Sequence, residues 1–396
     1  MFGLLYFVQG AALAYFRNFQ KPYLDGLQID PDTIGFLTSI LLLPFILKIF
    51  IGMVSDRVNL LGMGHRKPYM ILGLFLAALA FAGGGLVLPD QNFVLFAVLV
   101  VAGSFSVTLF DSTTDGLAID TTPPEHQGTI QGVMVGGRAV GFILLSWAFG
   151  EMVETQGYRV VFFIIAVSML VPLLWVIGLR EAKQRAETRS FQWAAFKSLT
   201  QPRFLIFSLY AILYSFVSFG VDGLVTFFMK KELQATSSLI GRYGSLRGIG
   251  AVVGALVAGL LIDRFGRRRS AYAAIFLISL GSISIGLAGQ ARTVLALGVA
   301  WGIVWAFQET LFFALAMGLT DSRIAASMFA IMMAISNLGT AITEGVSTGL
   351  TDNLGFSAVF WLLAGVNILT LPVLWGLFRI APEIQDRNKS DQSGTG

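Results

Sequence analysis

Nine ionisable side chains stand inside stretches that are otherwise apolar: Lys48, Asp111, Asp115, Arg138, Asp222, Arg242, Arg247, Glu309 and Glu344. A charge at the centre of an apolar layer costs about 3 kcal/mol on insertion scales, so such groups pair with one another, hold a charged ligand or carry protons. Asp111 lies 12 residues before Pro123 and Arg138 lies 15 after it. They fall at similar depth, about 18–22 Å along their helices from the intervening turn. Counted from Leu233, Asp222 is 11 residues before and Arg242 is 9 after, a spacing that suits a structural ion pair. Arg247, 14 residues after Leu233, is then the candidate to hold an anionic group. Lys48 lies 8 residues before Asp56, about 12 Å into its helix. Glu309 has no cation in the next apolar run, where Ser336 takes the place nearest to Arg138 in the repeat. That leaves Asp111, Asp115 and Glu309 as candidate proton carriers, and Lys48, Arg138 and Arg247 as candidate anion ligands. Gln9 and Gln308 are polar positions that suit either a cavity or helix–helix hydrogen bonding. The competing reading of the same charges is a set of structural ion pairs with no part in turnover, and Glu344 fits either.

Other chemistry is poorly supplied. His65 and His126 lie in loops, suit no metal site and leave any proton movement to carboxylates. With no cysteine there is no thiolate ligand, disulfide or Cys nucleophile. Neither a phosphate-binding GxxxxGK[ST] loop nor HExxH is present. The expectation is a protein that is not an enzyme and needs no cofactor beyond a proton gradient.

The elements that carry these charges follow from composition. Of 396 residues, 55% are hydrophobic and 13% charged, and the mean hydropathy is +0.75. Soluble domains are about 25% charged, so this chain has half the polar coat that a water-facing surface requires. Apolar runs fall near 2–20, 33–53, 69–88, 92–117, 127–149 and 158–179, and again near 204–229, 238–262, 271–290, 293–319, 325–350 and 356–378. Each is long enough to cross a bilayer as a helix. The run from Phe2 lacks a basic leader and a cleavage site, and reads as the first span. The fold class is therefore an all-α polytopic membrane protein of 12 transmembrane helices. It divides into a six-helix half (1–179), a polar linker (180–203), a second six-helix half (204–380) and a polar tail (381–396) expected to be disordered.

Charge orients the chain. Loops after even-numbered spans plus the tail hold 17 Lys and Arg, against 6 in the loops after odd-numbered spans. The excess sets both termini in the cytoplasm of a cell-membrane protein and explains the net charge of +4 without nucleic acid. The expected partners are the lipid bilayer and a small organic anion, with the chain as a monomer.

The halves are related. Gly52-Met-Val-Ser-Asp56-Arg57 recurs as Gly259-Leu-Leu-Ile-Asp263-Arg264, and a similar shift places Asp111 on Glu309. Equivalent spans run in the same direction, giving parallel repeats with an axis along the membrane normal and a polar cavity near the midplane. In this reading Gly259 allows two helices to approach closely, and Gly266 permits the turn before Arg267.

The stretch Gly259-Leu-Leu-Ile-Asp263-Arg264-Phe-Gly266-Arg267 resembles the signature loop of the major facilitator superfamily. The resemblance implies that Gly52, Asp56, Arg57, Gly259, Asp263, Arg264, Gly266 and Arg267 form a cytoplasmic conformational gate. The first half is similar to two branches of that superfamily. Tyr6-Phe-Val-Gln9-Gly10, the LLLPFILK run ending at Lys48, Arg66-Lys67-Pro68-Tyr69 and Arg138-Ala-Val-Gly141 resemble folate–biopterin transporters. Asp111, Asp115, Asp120, Pro123, Glu125 and Gly128 resemble muropeptide permeases and acetyl-CoA transporters. The resemblance covers mainly residues 4–145, and Phe16–Lys21 (FRNFQK) departs from both branches. What it implies is proton-coupled import of a bulky anionic solute, of folate, muropeptide or acyl-CoA type, by alternating access. Proton-driven efflux of lipophilic compounds, or a non-transporting assembly factor or sensor, are the alternatives.

Overall fold

The computed structural model describes all residues except 124–125, 180, 182–196, 198–199, 320–324 and 385–396. Most of the expected linker and tail therefore lies outside the described residues. Among the described residues, eleven helices are long and apolar enough to cross a membrane. The twelfth span is the first, and it is broken. α1 (Phe2–Ala14) passes through a π-helical turn (Tyr15–Phe19) into α2 (Gln20–Gly26). Pro22 has no N–H to give the Asn18 carbonyl, so the helical ladder loses a bond where the turn widens. The widened turn aims Asn18 at Ser146, to whose Oγ it donates at 2.8 Å.

α3 (Pro31–Ile46) stops at Leu47, and α4 (Lys48–Arg57) restarts the second span. Pro44 lies one turn before that break, where its ring disrupts the ladder. The remaining spans of the first half are α5 (Lys67–Leu86), α6 (Phe93–Thr121), α7 (Gln127–Gln156) and α8 (Arg159–Gly178). The second half has α9 (Pro202–Lys231), α10 (Ser237–Phe265), α11 (Arg267–Gly286), α12 (Ala291–Leu319), α13 (Ala325–Leu354), α14 (Phe356–Ile368) and α15 (Thr370–Ile380).

The chain forms two compact units, Met1–Phe191 with Met229–Ser245, and Gln192–Phe228 with Leu246–Gly396. In the first unit α1 and α7 touch backbone to backbone: a Cβ on Gly10 would overlap the Arg138 carbonyl, and one on Gly141 the Phe7 carbonyl. Residues 237–245 belong to this unit through α7. Gly241 lies against the Ser146 carbonyl, and Ser238 Oγ donates to Glu151 at 2.7 Å. The Ser237 amide donates to Glu154 at 2.9 Å, and Arg242 pairs with Glu151 at 3.0 Å.

Polar residues of α6 are mostly absorbed locally. The hydroxyls of Ser106, Thr108, Thr113, Thr114 and Thr121 each donate to the carbonyl four residues back. Ser104 instead donates across to Leu41 O at 2.6 Å and fixes α6 to the second span. Lipid-facing surface is supplied by residues such as Val94, Leu174, Leu256 and Leu260, each more than 70% exposed.

Candidate functional site

The helix break at Leu47 makes Lys48 the first residue of α4, facing α6. Its ammonium lies 2.6 Å from Asp111 Oδ2 and 2.6 Å from Asp115 Oδ2. One turn separates those two acids, so both carboxylates stand on one face of α6. Tyr6, from α1, donates its hydroxyl to Asp115 Oδ1. Arg138, from α7, lies 5.8 Å from the Tyr6 ring centre, and Tyr6 sits in the field of Asp111, Asp115 and Arg138 together.

Exposure differs within the cluster. Asp111 is 4% exposed, whereas Lys48 and Asp115 are 33% and 30% exposed. Arg138 is half-buried and forms no ion pair among the described residues. Gln9, one turn from Tyr6, is buried with its Oε1 unpaired. Four of the candidate groups in this unit (Lys48, Asp111, Asp115 and Arg138) thus surround Tyr6, which spacing alone had not singled out. The depth count placed Arg138 beside Asp111, but Lys48 holds that acid.

In the second unit the pairing differs from the sequence expectation. Asp222 accepts from Arg247 Nε at 2.9 Å and Arg247 Nη2 at 2.8 Å, while Arg242 is taken by Glu151. Asp222 accepts a third hydrogen bond, from Trp301 Nε1 at 2.9 Å. Arg247 also lies 4.0 Å from the Trp305 ring centre. Gln308 is fully buried, and Glu309 is half-buried within the field of Tyr214.

At the loop ends, the two halves repeat a geometry. Arg66 lies over Gly116 and bonds Asp120 at 3.1 Å and Ser55 Oγ at 2.6 Å. Arg267 lies over Gly318 and reaches the Ile384 carbonyl at 3.4 Å. Glu181 caps the start of α5, accepting from the amides of His65, Arg66 and Lys67 at 2.9–3.1 Å. A carboxylate at a helix N-terminus satisfies amides that have no partner within the helix. Gly266 has φ +79° at the turn into α11. Gly52 is close to Ser112 Oγ, its Cβ position 3.7 Å away, and the Asp56 side chain lies outside the described residues. Arg57, Asp263 and Arg264 are exposed at their helix ends. The close approach expected at Gly259 is corrected: a Cβ there would meet nothing within 4 Å. Its neighbours Leu256 and Leu260 show why, since that side of α10 faces outward.

A family model described as Major Facilitator Superfamily matches residues 2–231 and again 211–395. The chain belongs to the major facilitator superfamily. Among curated members of the superfamily, the chain is similar to the folate-biopterin transporter of Synechocystis sp., at 24% identity over 98% of this chain and 83% of that protein. It is also similar to the anhydromuropeptide permease of Escherichia coli, at 23% identity over 90% of this chain and 75% of that one. A solved nucleoside transporter, NupG, shares the fold with a TM-score of 0.79 at 15% identity, covering 95% of this chain and 98% of that one. As a superfamily member with these relatives, the chain is a secondary transporter of the membrane and not an enzyme.

Proposed function

We propose that the chain imports a bulky organic anion together with protons by alternating access, and that the Lys48–Asp111–Asp115–Arg138 cluster couples the two. The observation that carries this reading is Arg138: a half-buried guanidinium in a transmembrane helix that pairs with no carboxylate among the described residues. An intramembrane cation without a partner is a place for an anionic ligand. Lys48 and Asp115 are open enough to exchange with water, and Asp111 is not.

Charge balance gives the coupling. With both acids ionised, Lys48 and Arg138 offset Asp111 and Asp115, and the cluster is neutral. A bound monoanion makes it negative by one, and one proton on a carboxylate restores neutrality and loosens that carboxylate's hold on Lys48. The proton count then follows the charge of the solute, one for a monoanion and two for a dianion. Glu309, the repeat equivalent of Asp111, is proposed to respond to protonation in the second half. Inward placement of the termini and a gate at the signature loops complete the proposal. The named relatives make folates, biopterins and anhydromuropeptides the first solutes to assay.

The test is uptake into proteoliposomes under an imposed pH gradient. Wild-type protein is expected to accumulate one of these solutes when the outside is acidic. Asp111→Asn and Glu309→Gln are expected to lose uphill accumulation while keeping counterflow exchange. Undiminished uphill uptake by Asp111→Asn defeats the coupling assignment.

A further inference from the structure

In the second unit α9 and α12 run face to face in opposite directions. Asp222 meets Trp301, Phe219 meets Trp305 with ring centres 5.4 Å apart, and Tyr214 stacks on Phe312 at 4.7 Å. Trp301, Trp305, Gln308 and Phe312 are spaced 4, 3 and 4 residues apart, one continuous stripe along α12. Trp305 and Phe312 are separated by about 10 Å along the helix. Gln308 lies midway, and Ser218 of α9 falls at the same level.

This layer is where the hydrogen bonding stops. Both polar atoms of the Gln308 amide, the Trp305 Nε1 and the Ser218 Oγ are buried and have no hydrogen-bond partner. Gln308 and Ser218 are 0% exposed. A fifth such atom, Thr343 Oγ1, lies against Gly220 on the same helix as Ser218. Buried polar groups in native proteins are almost always paired, and orphans that share one layer mark a missing partner. The layers on either side have none to spare, because Asp222 already accepts from Arg247 and Trp301 and the Tyr214–Phe312 rung is aromatic.

We infer that this layer is a recognition site for a flat, uncharged group that carries an amide-type pair, one hydrogen-bond donor beside one acceptor. The Gln308 amide offers an acceptor and a donor in one plane, the complement of a carboxamide, lactam or ureide edge. The indole N–H of Trp305 is a donor only and takes a second acceptor of the ligand, while Ser218 serves either role. Flatness follows from the aromatic rungs above and below. Neutrality follows from the charges: the guanidinium of Arg247 is matched bidentately by Asp222, and Glu309 flanks the layer on the Tyr214 side. An anionic group would have to displace Asp222 and face Glu309. The inference rests on the transport reading, because these atoms are closed to solvent here and a ligand reaches them in another state of the alternating-access cycle. It adds to that reading a neutral, planar head on the solute, recognised by the second half independently of the anion.

The test uses the full-length protein in lipid nanodiscs with nicotinamide and uracil as neutral probes, and nicotinate, which differs from nicotinamide by a carboxylate for a carboxamide. Thermal protection and calorimetry are expected to show saturable binding of nicotinamide or uracil. Gln308→Leu is expected to weaken it at least ten-fold. Trp305→Phe, which keeps a ring and removes the N–H, and Ser218→Ala are each expected to weaken it several-fold. They also test the site if Gln308→Leu fails to fold. Nicotinate is expected to bind at least ten-fold more weakly than nicotinamide. The inference is overturned if neither neutral probe protects the wild type up to its solubility limit, the result for a layer filled by water alone. It is equally overturned if these variants leave affinity unchanged, or if nicotinate binds as well. Proton-driven uptake with no Gln308 dependence of probe binding refutes this site alone. Gln308-dependent binding without proton-driven uptake refutes the coupling cluster alone.

Discussion

Replacing Lys48 by Met strands Asp111, and the size of the effect can be worked from the cluster. Removing one partner of a buried pair costs about 3–5 kcal/mol, because the other charge is left without compensation. Lys48 is 33% exposed, so solvent screening reduces this to about 2–3 kcal/mol. Asp111→Asn alone leaves Lys48 on Asp115 and costs about 1 kcal/mol. The double variant Lys48→Met/Asp111→Asn removes the buried stranded charge, leaving only Asp115, which is 30% exposed and keeps its bond from Tyr6, and is expected to lie about 1 kcal/mol below wild type. The double-mutant cycle therefore has a coupling energy of about 2–3 kcal/mol, with the double variant more stable than the Lys48→Met single. Equilibrium unfolding in mixed detergent–SDS micelles measures all four proteins under one condition. Additivity within about 0.5 kcal/mol would show that the two side chains do not share a cluster. A Lys48→Met single variant as stable as wild type would refute the reasoning outright.

Three further outcomes are expected. Arg138→Ala lowers affinity for the transported anion about 10–100-fold, as expected for loss of a charge-assisted contact, and Arg138→Lys recovers part of it; concentration-dependent uptake measures both. The chain has no cysteine, so Glu151→Cys/Ser238→Cys can be bridged without background by a short reducible thiol linker. Bridging is expected to stop uptake and reduction to restore it, and full uptake in the bridged state would show that this contact need not open. Glu181→Ala removes the carboxylate from three amides at the start of α5 and is expected to cost about 1–2 kcal/mol, read as a lowered thermal midpoint that Glu181→Gln partly restores.

The spans were legible because hydropathy and charge write them directly: each apolar run ends in charges or turn residues, and the helices follow those limits closely. The breaks were less so. Pro44 and Pro22 are visible in the sequence, yet where a ladder reopens depends on neighbours such as Ser104 and Ser146 on other helices. The break at Leu47 decides the site, because it presents Lys48 to Asp111 and Asp115. Depth counted from the turn ranked Arg138 as the partner of Asp111, since counting fixes height along a helix and not direction around it. For Asp222 the height itself was misjudged. α9 runs to Lys231 and α10 starts at Ser237, so the true centre of the turn puts Arg247, not Arg242, level with Asp222. Arg242 was already claimed by Glu151, 91 residues earlier, a contact that no local spacing encodes. Tyr6 stood in the quoted Tyr6–Gly10 motif, but only the approach of α1 to α6 reveals its hydroxyl as a ligand of Asp115.

The back-bonded hydroxyls of α6 bear on how the cluster holds its charge. In sequence α6 looks rich in donors, with Thr108, Ser112, Thr113 and Thr114 around Asp111. In the fold three of those four hydroxyls donate to their own helix, and Ser112 is directed at the Lys48 carbonyl at 3.5 Å. A hydroxyl that has given its proton keeps its lone pairs, so what these bonds take away is donors: Asp111 and Asp115 rely on Lys48 and Tyr6 to hold their charge.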